Sequence, residues 1–363
     1  MKRTLQNLKG LLFALTLTIA VSCGSEQNGN SSKSHLPVAR GEANAVLAVM
    51  DTTQWNGPLG EALRDIFSDY VPGLPQDEPY FKLRNINPLK MNNILKTAKS
   101  MIFVSTIDNN GAQSRAMQNY FTTSSLEKIQ KDTSLYRLTQ KNQFARGQEI
   151  VHLFGQTERQ LIAHLKRDKD LLRNYFLNIE NQRINKAIFK VREKQIEKTL
   201  RETHGFDIQV PYGYDLAKNQ RDFIWIRLLD PEYEKNIFVH YRPFNSREPF
   251  DDVMAFREEV TSSYMRDIQK PEIYMTLQNE NRNIREVNFK GRYAKETRGL
   301  WKLSDISGGG PFVSYVFVDE SQKRLYYLEG YVYAPSKDKR EFMQEMEVIV
   351  NTFRSGEDLL NAK

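Results

Sequence analysis

Few residues in this chain of 363 have the type and spacing to do chemistry. The first is the single cysteine, Cys23. It ends the run Ala20-Val21-Ser22-Cys23, directly after the apolar and small-polar stretch LLFALTLTIAV at 11–21, which follows the basic residues Lys2, Arg3 and Lys9. A basic start, an apolar core of that length and small residues before a cysteine make a bacterial lipobox, and the apolar core is too short to cross a bilayer. The chemistry expected is acylation of the Cys23 thiol, with palmitate among the acyl chains. Cleavage before it removes the signal peptide 1–22. Several acyl chains at one N-terminus then hold the protein on a membrane. The alternative is an ordinary secretory signal with an incidental cysteine.

The second constellation is Trp225, Arg227, His240 and Arg242. Asp222–Leu229 and Asn236–Arg242 read as neighbouring strands joined by a turn at Asp230-Pro231. Alternation puts Phe223, Trp225 and Arg227 on one face, and Phe238, His240 and Arg242 on one face. If those faces coincide, the four residues form an aromatic and cationic ligand-binding patch suited to an anion or a sugar. The competing expectation is an amphipathic sheet face covered by a helix or by water. A slip of one residue exchanges the two outcomes.

Other arrangements are weaker. Gly308-Gly309-Gly310-Pro311 lacks the Lys-Ser/Thr and helix start of a phosphate loop and reads as a turn before a strand. There is no Gly-x-Ser-x-Gly elbow and no Ser-x-x-Lys in a penicillin-binding context. The acid pairs Asp251-Asp252, Glu258-Glu259 and Asp319-Glu320 face solvent by pattern. Asp51-Thr52-Thr53 is similar to an O-glycosylation acceptor and equally suits a turn. One cysteine excludes an internal disulfide framework and a cysteine cluster, and the five histidines show no metal-ligand spacing, so no metal and no cofactor is expected. Three of the formal +7 charges lie in the signal peptide. The remaining surface is unremarkable and no nucleic-acid partner is expected.

The elements that must position these residues read as α+β: two modules of mainly antiparallel sheet packed with helices and joined by a long helical segment. Residues 23–40 are a polar, flexible tether. Residues 41–157 form an N-terminal module, with strands at Ala45–Met50, Tyr80–Ile86, Met101–Ile107, Leu135–Thr139 and Glu149–Phe154. A helix starting at Gly57-Pro58 has Leu59, Leu63, Ile66, Phe67 and Tyr70 on one face. Residues 158–203 are a helical connector with a break expected around Asn178–Asn185. From Arg159 to Glu202 it carries 12 basic and 6 acidic residues, interleaved as on a solvated face rather than one lying on lipid headgroups. Residues 204–356 form the C-terminal module. Its strands are expected at Phe206–Val210, Asp222–Leu229, Asn236–Arg242, Ile273–Leu277, Val287–Tyr293, Phe312–Asp319 and Leu325–Tyr333. Its two helices carry the stripes Val253-Phe256-Val260-Tyr264 and Phe342-Met346-Ile349-Phe353. Residues 357–363 are a tail.

Several stretches resemble a family of Bacteroidota lipoproteins known only as a domain of unknown function. They are Arg298-Gly299-Leu300-Trp301, Gly309-Gly310-Pro311-Phe312, and Gly330-Tyr331-Val332-Tyr333-Ala334-Pro335 with Lys339-Arg340. In the first half, Trp55-Asn56-Gly57-Pro58-Leu59-Gly60, Leu74-Pro75-Gln76 and Glu78-Pro79 fit as well. Ile306-Ser307-Gly308 stands where the family has a bulkier, Met-containing approach. The resemblance spans nearly the whole mature chain and implies location and architecture but no catalytic residues. The order of elements in the second half is also similar to photosystem extrinsic proteins. The expectation is a non-catalytic, lipid-anchored protein of the cell envelope, more on the outer than the inner membrane, binding a partner protein or ligand. The alternative is an envelope hydrolase or transferase acting on glycan or peptide near Trp225–Arg242.

Overall fold

The computed structural model describes residues 36–120, 127 and 131–360; the signal peptide and Cys23 lie outside the described residues. The first module runs β1 (Ala45–Val49), α1 (Thr52–Trp55), α2 (Pro58–Phe67), β2 (Lys82–Ile86), β3 (Ser100–Thr106), α3 (Ala112–Gln118), β4 (Arg137–Lys141), β5 (Glu149–Gly155), α4 (Glu158–Arg167) and α5 (Lys169–Ile188). The α+β class holds, but this sheet is not mainly antiparallel. Its order is β2-β1-β3-β5-β4, with β1–β2, β1–β3 and β3–β5 parallel and only β4–β5 antiparallel. The physical reason is burial on both faces. Every residue of β3 and β5 is buried, the setting in which parallel strands occur, with helices making the crossovers. One face packs Ile102 and Val104 against Leu59, Leu63 and Phe67 of α2 and Leu161, Leu165, Leu172 and Phe176 of α4 and α5. The other packs Met101 and Phe103 against Met117 of α3.

Three local expectations change here. Asp51 accepts hydrogen bonds from the Thr53 and Gln54 amides and caps α1, so Asp51-Thr52-Thr53 is a helix start. The segment 158–203 is no free connector, because α4 and α5 complete the first core. Helix α5 also runs without a break through Asn178–Asn185 and ends only at Ile188.

The second module runs α6 (Lys194–Thr199), β6 (Phe206–Asp207), β7 (Asp215–Asn219), β8 (Phe223–Asp230), β9 (Tyr233–Pro243), α7 (Glu248–Asp251), α8 (Val253–Tyr264), β10 (Met275–Phe289), β11 (Arg292–Leu303), β12 (Gly309–Asp319), β13 (Arg324–Tyr333), α9 (Arg340–Val350), β14 (Arg354–Ser355) and α10 (Glu357–Leu360). Its seven-stranded sheet is antiparallel throughout, in the order β10-β11-β12-β13-β9-β8-β7. Residues Val287–Tyr293, expected as one strand, are instead the tip of the long β10–β11 hairpin, turning at Lys290 (φ 54°) and Gly291 (φ 84°). Phe206–Val210 pairs over only its first two residues.

Both faces of this sheet are covered. Ile224, Val239, Val313, Phe317 and Leu328 face Met346, Ile349 and Val350 of α9. Phe223, Phe238, Phe312, Tyr327 and Tyr331 lie on the opposite face, under Val253, Phe256 and Val260 of α8. The described residues from Pro37 onward form one compact unit. Glu78 ties its halves together by accepting the Lys339 and Arg340 amides (2.6 and 2.9 Å) at the start of α9. Gln344 donates to Asn181 of α5 (2.9 Å) and accepts from Asn44 (2.8 Å).

Candidate functional site

The β8–β9 register pairs Phe223 with His240, Trp225 with Phe238 and Arg227 with Asn236. The two faces of the expected patch therefore coincide, yet the structure divides it. The His240 ring sits 5.3 Å from Tyr264 and 6.2 Å from Phe256 of α8, with Nδ1 3.0 Å from the Asp222 carbonyl oxygen. Only 6% of His240 is exposed, and desolvation holds its pKa below the usual imidazole value. Arg242 stacks over Phe256 (4.7 Å) and pairs with Glu259 (3.0 Å). This half is a sheet face covered by a helix. Trp225 and Arg227 lie beyond the helix, where the sheet opens into a pocket.

That pocket, about 400 Å³, is walled by Trp225, Trp301, Tyr331 and Tyr333, with Met265, Met275, Ile273 and Leu303 around them. Glycine makes its inner wall. Trp301 of β11 lies opposite Gly310 of β12. A Cβ on Gly310 would come within 2.0 Å of the Val332 oxygen and 3.2 Å of Trp301 Nε1. Without one, the indole crosses the strand and donates to the Val332 carbonyl (3.2 Å). It then meets Tyr331 edge-on (5.3 Å, 73°) and Tyr333 at a tilt (6.3 Å, 55°). Gly299 admits the Phe312 ring in the same way. Gly309-Gly310-Pro311, expected as a turn, is thus the first part of β12.

Trp225 is fixed by an Nε1–H bond to Asn236 Oδ1 (2.9 Å), with the Arg227 and Lys218 cations 5.3 and 5.8 Å from its ring centre. Arg227 pairs with Asp215 (3.2 Å). The rim consists of residues 265–274 and 304–308. They are tied together where Tyr274 N donates to Ser304 Oγ (3.2 Å) and Ser304 N to the Tyr274 oxygen (2.9 Å). Ile268 and Ile306 project from these loops, 90% and 79% exposed, and Ile306 holds a left-handed φ of 59° that a β-branched residue rarely adopts.

Beyond the inner wall lies a buried ion pair. Arg257 of α8 donates from Nε and Nη2 to the Glu329 carboxylate (2.9 and 2.8 Å), and neither side chain reaches solvent. Tyr327 donates to the same carboxylate (2.5 Å). Burial pushes the Tyr327 and Tyr331 hydroxyls well above the usual phenol range, so neither titrates near neutral pH.

The acid pairs serve structure. Asp252 caps α8, Glu258 accepts from Thr276 (2.7 Å) and Glu259 holds Arg242. Asp319, expected to face solvent, is buried instead, with Ser321, Ser355, the Gln322 amide and Arg292 around it. It borders a wider cleft of about 920 Å³ at the opposite end of the sheet, where Arg292 is already paired to Asp358 and Asp319. Among the described residues, no group of three or more His, Cys, Asp or Glu is placed to hold a metal ion.

Of the four residues of the expected patch only Trp225 lines this pocket, with Arg227 over its ring; Trp301, Tyr331 and Tyr333 were not expected there. The signal was present in alternation along β13 and in the glycine facing Trp301.

A family model described as a domain of unknown function (DUF8532) matches residues 39–189, and a second such model (DUF4837) matches residues 193–352. The two matches lie side by side, each over less than half of the chain. The DUF8532 stretch holds the parallel sheet with α4 and α5, and the DUF4837 stretch holds the aromatic pocket and the Arg257–Glu329 pair. No curated protein matches the chain. Among solved structures it is similar to cyanobacterial PsbP (CyanoP) from Synechocystis sp. PCC 6803, at 10% identity over 42% of this chain and 87% of that one, with a TM-score of 0.29. It is also similar to LpqN, described as involved in cell envelope biogenesis of Mycobacterium tuberculosis, at 14% identity over 41% and 81%, with a TM-score of 0.27. A mutant of Mog1 gives 10% identity over 42% and 90%, with a TM-score of 0.28.

Proposed function

We propose that this protein is a non-catalytic, lipid-anchored binding protein of the cell envelope, of the Bacteroidota lipoprotein type. Its DUF4837 domain holds a partner protein or ligand in the pocket between Trp225 and Trp301. The reading of location rests on the lipobox ending at Cys23 and on the polar tether behind it. The observation that carries the binding role is the pocket itself, where aromatic walls held by tertiary contacts open between two loops presenting Ile268 and Ile306. Apolar, preformed concavities with a few polar groups are the usual form of a binding site, and exposed aliphatic side chains beside one extend the contact a partner would bury.

The test is in-cell crosslinking of the tagged, lipidated protein, followed by mass spectrometry. One reproducible envelope partner is expected, lost when Ile268 and Ile306 are both changed to Ser. A partner retained by that variant at wild-type yield would place the contact elsewhere. Turnover of an envelope glycan or peptide by the purified protein, abolished by Arg227→Ala, would replace the binding role with the enzymatic one. Cys23→Ala should release the protein from the membrane fraction; retention there would refute the lipid anchor.

A further inference from the structure

We propose that the aromatic pocket selects an organic cation, an ammonium head carried on an apolar body. This rests on the pocket being a binding site and adds the charge of its occupant.

Three observations carry it. First, Trp301, Tyr331 and Tyr333 meet at steep angles and so form walls rather than a stack. All three rings line the cavity, and the electron-rich faces of Trp and Tyr attract cations. Second, the lining carries more negative than positive charge, Glu234 and Asp267 against Arg266. Glu234 of β9 lies opposite Tyr333 in the register and lines the pocket, and its carboxylate makes no hydrogen bond or ion pair with any described residue. Asp267, also on the lining, accepts from the Gln269 and Lys270 amides (2.7 and 2.8 Å). Third, the nearby cations are already engaged. Arg266 lies over Tyr274 (5.2 Å) and donates to the Pro271 oxygen (2.8 Å). Arg227 is held by Asp215, and the Lys218 ammonium donates to the Tyr264 carbonyl.

Both indole N–H groups are engaged as well, with Val332 and Asn236. An anion entering here would meet Glu234 and find few free donors. A cation would meet aromatic rings, an unpaired carboxylate and, for its apolar body, Met265 and Met275.

The probes are choline and its uncharged isostere 3,3-dimethylbutan-1-ol, titrated into the full chain in non-ionic detergent. The readout is the indole N–H resonances of the three tryptophans, Trp55, Trp225 and Trp301. Choline is expected to shift Trp225 and Trp301 saturably and leave Trp55 unmoved, with the alcohol about tenfold weaker. Glu234→Gln should weaken choline about fivefold and leave the alcohol unchanged. Equal affinity for both probes would show a binding pocket that does not read charge, overturning the inference while leaving the binding role intact. An unchanged choline affinity in Glu234→Gln would overturn it too. So would the absence of saturable shifts for either probe; if the crosslinked partner persisted, the pocket would then take a protein surface instead.

Discussion

The buried pair under the pocket gives the sharpest test of how this domain is held together. Arg257 and Glu329 are both fully buried and joined by two charge-assisted hydrogen bonds, with Tyr327 as a third donor. Phe312 lies 4.1 Å from the guanidinium carbon, and Arg257 Nη1 has no partner among the described residues. Glu329→Gln removes the counter-charge but leaves the guanidinium in the core, where it cannot be hydrated. Breaking one side of such a pair costs about 3–5 kcal/mol. That is a large part of the roughly 5–15 kcal/mol that holds a domain folded. Arg257→Met should cost a similar amount, since Glu329 then keeps only the Tyr327 hydroxyl. Changing Arg257 to Met, Glu329 to Leu and Tyr327 to Phe together removes every polar atom of the group, including the orphaned Nη1, whose burial alone costs about 1–3 kcal/mol. The triple variant should therefore lie within about 2 kcal/mol of wild type, well above either single change. Urea unfolding of the full chain, followed by tryptophan fluorescence, measures each. If the losses simply added, so that the triple variant was the least stable of the set, the reasoning about desolvated charge would be refuted.

Two further outcomes follow from the geometry. Gly310→Ala should cost about 1–3 kcal/mol, because the new Cβ meets the Val332 oxygen at 2.0 Å and forces Trp301 off the strand. A red-shifted Trp301 emission with loss of choline binding checks it, and wild-type emission would show that the glycine is dispensable. His152 supplies the pH dependence. Desolvation lowers its pKa from 6.5 to about 4. Between those values the unfolded chain binds the extra proton, so stability is full above about pH 6.5 and falls as the pH drops toward 4, by about 3 kcal/mol in all. Urea midpoints between pH 7.5 and 5 should fall in the wild type and fall less in His152→Gln, and an identical slope in both would exclude His152 as the cause.

Elements whose pattern was set locally could be read from the sequence. The stripe Leu59-Leu63-Ile66-Phe67 is the buried face of α2, and Gly205 at φ 70° ends the helical stretch before it. Strand direction could not be read. Ser100–Thr106 and Glu149–Gly155 are apolar runs with no alternation, and a run buried on both faces looks the same whichever way its neighbour points. Strand β11 was hidden for the opposite reason. Its charged residues Lys295, Glu296, Arg298 and Lys302 give no strand pattern, yet Glu296 and Arg298 are buried and pair with each other (2.8 Å), and Arg298 pairs further with Glu347 of α9 (2.5 Å). A charged residue can occupy a core strand when its partner arrives from elsewhere in the chain, and single-residue polarity carries no trace of that partner.

The site was half legible for a related reason. Alternation identified the correct face of β8 and β9, but that face is long enough to hold two environments. What separates them is where α8 ends: Tyr264, the last residue of the helix, stacks on Phe223 (4.4 Å) and lies against His240, leaving Trp225 as the first uncovered ring. Helix length alone thus decides that His240 is core and Trp225 is site. The other wall depends on a pair of residues that only the register brings together, Trp301 and Gly310. Gly310 costs strand stability, since it brings no side chain to pack, and that cost has a purpose only because an indole must cross there. A glycine facing a tryptophan across two antiparallel strands is therefore evidence for an aromatic wall rather than for a turn. The same logic makes Gly310→Ala more damaging to the pocket than removal of any single ring, because it displaces the indole against which both Tyr331 and Tyr333 are set.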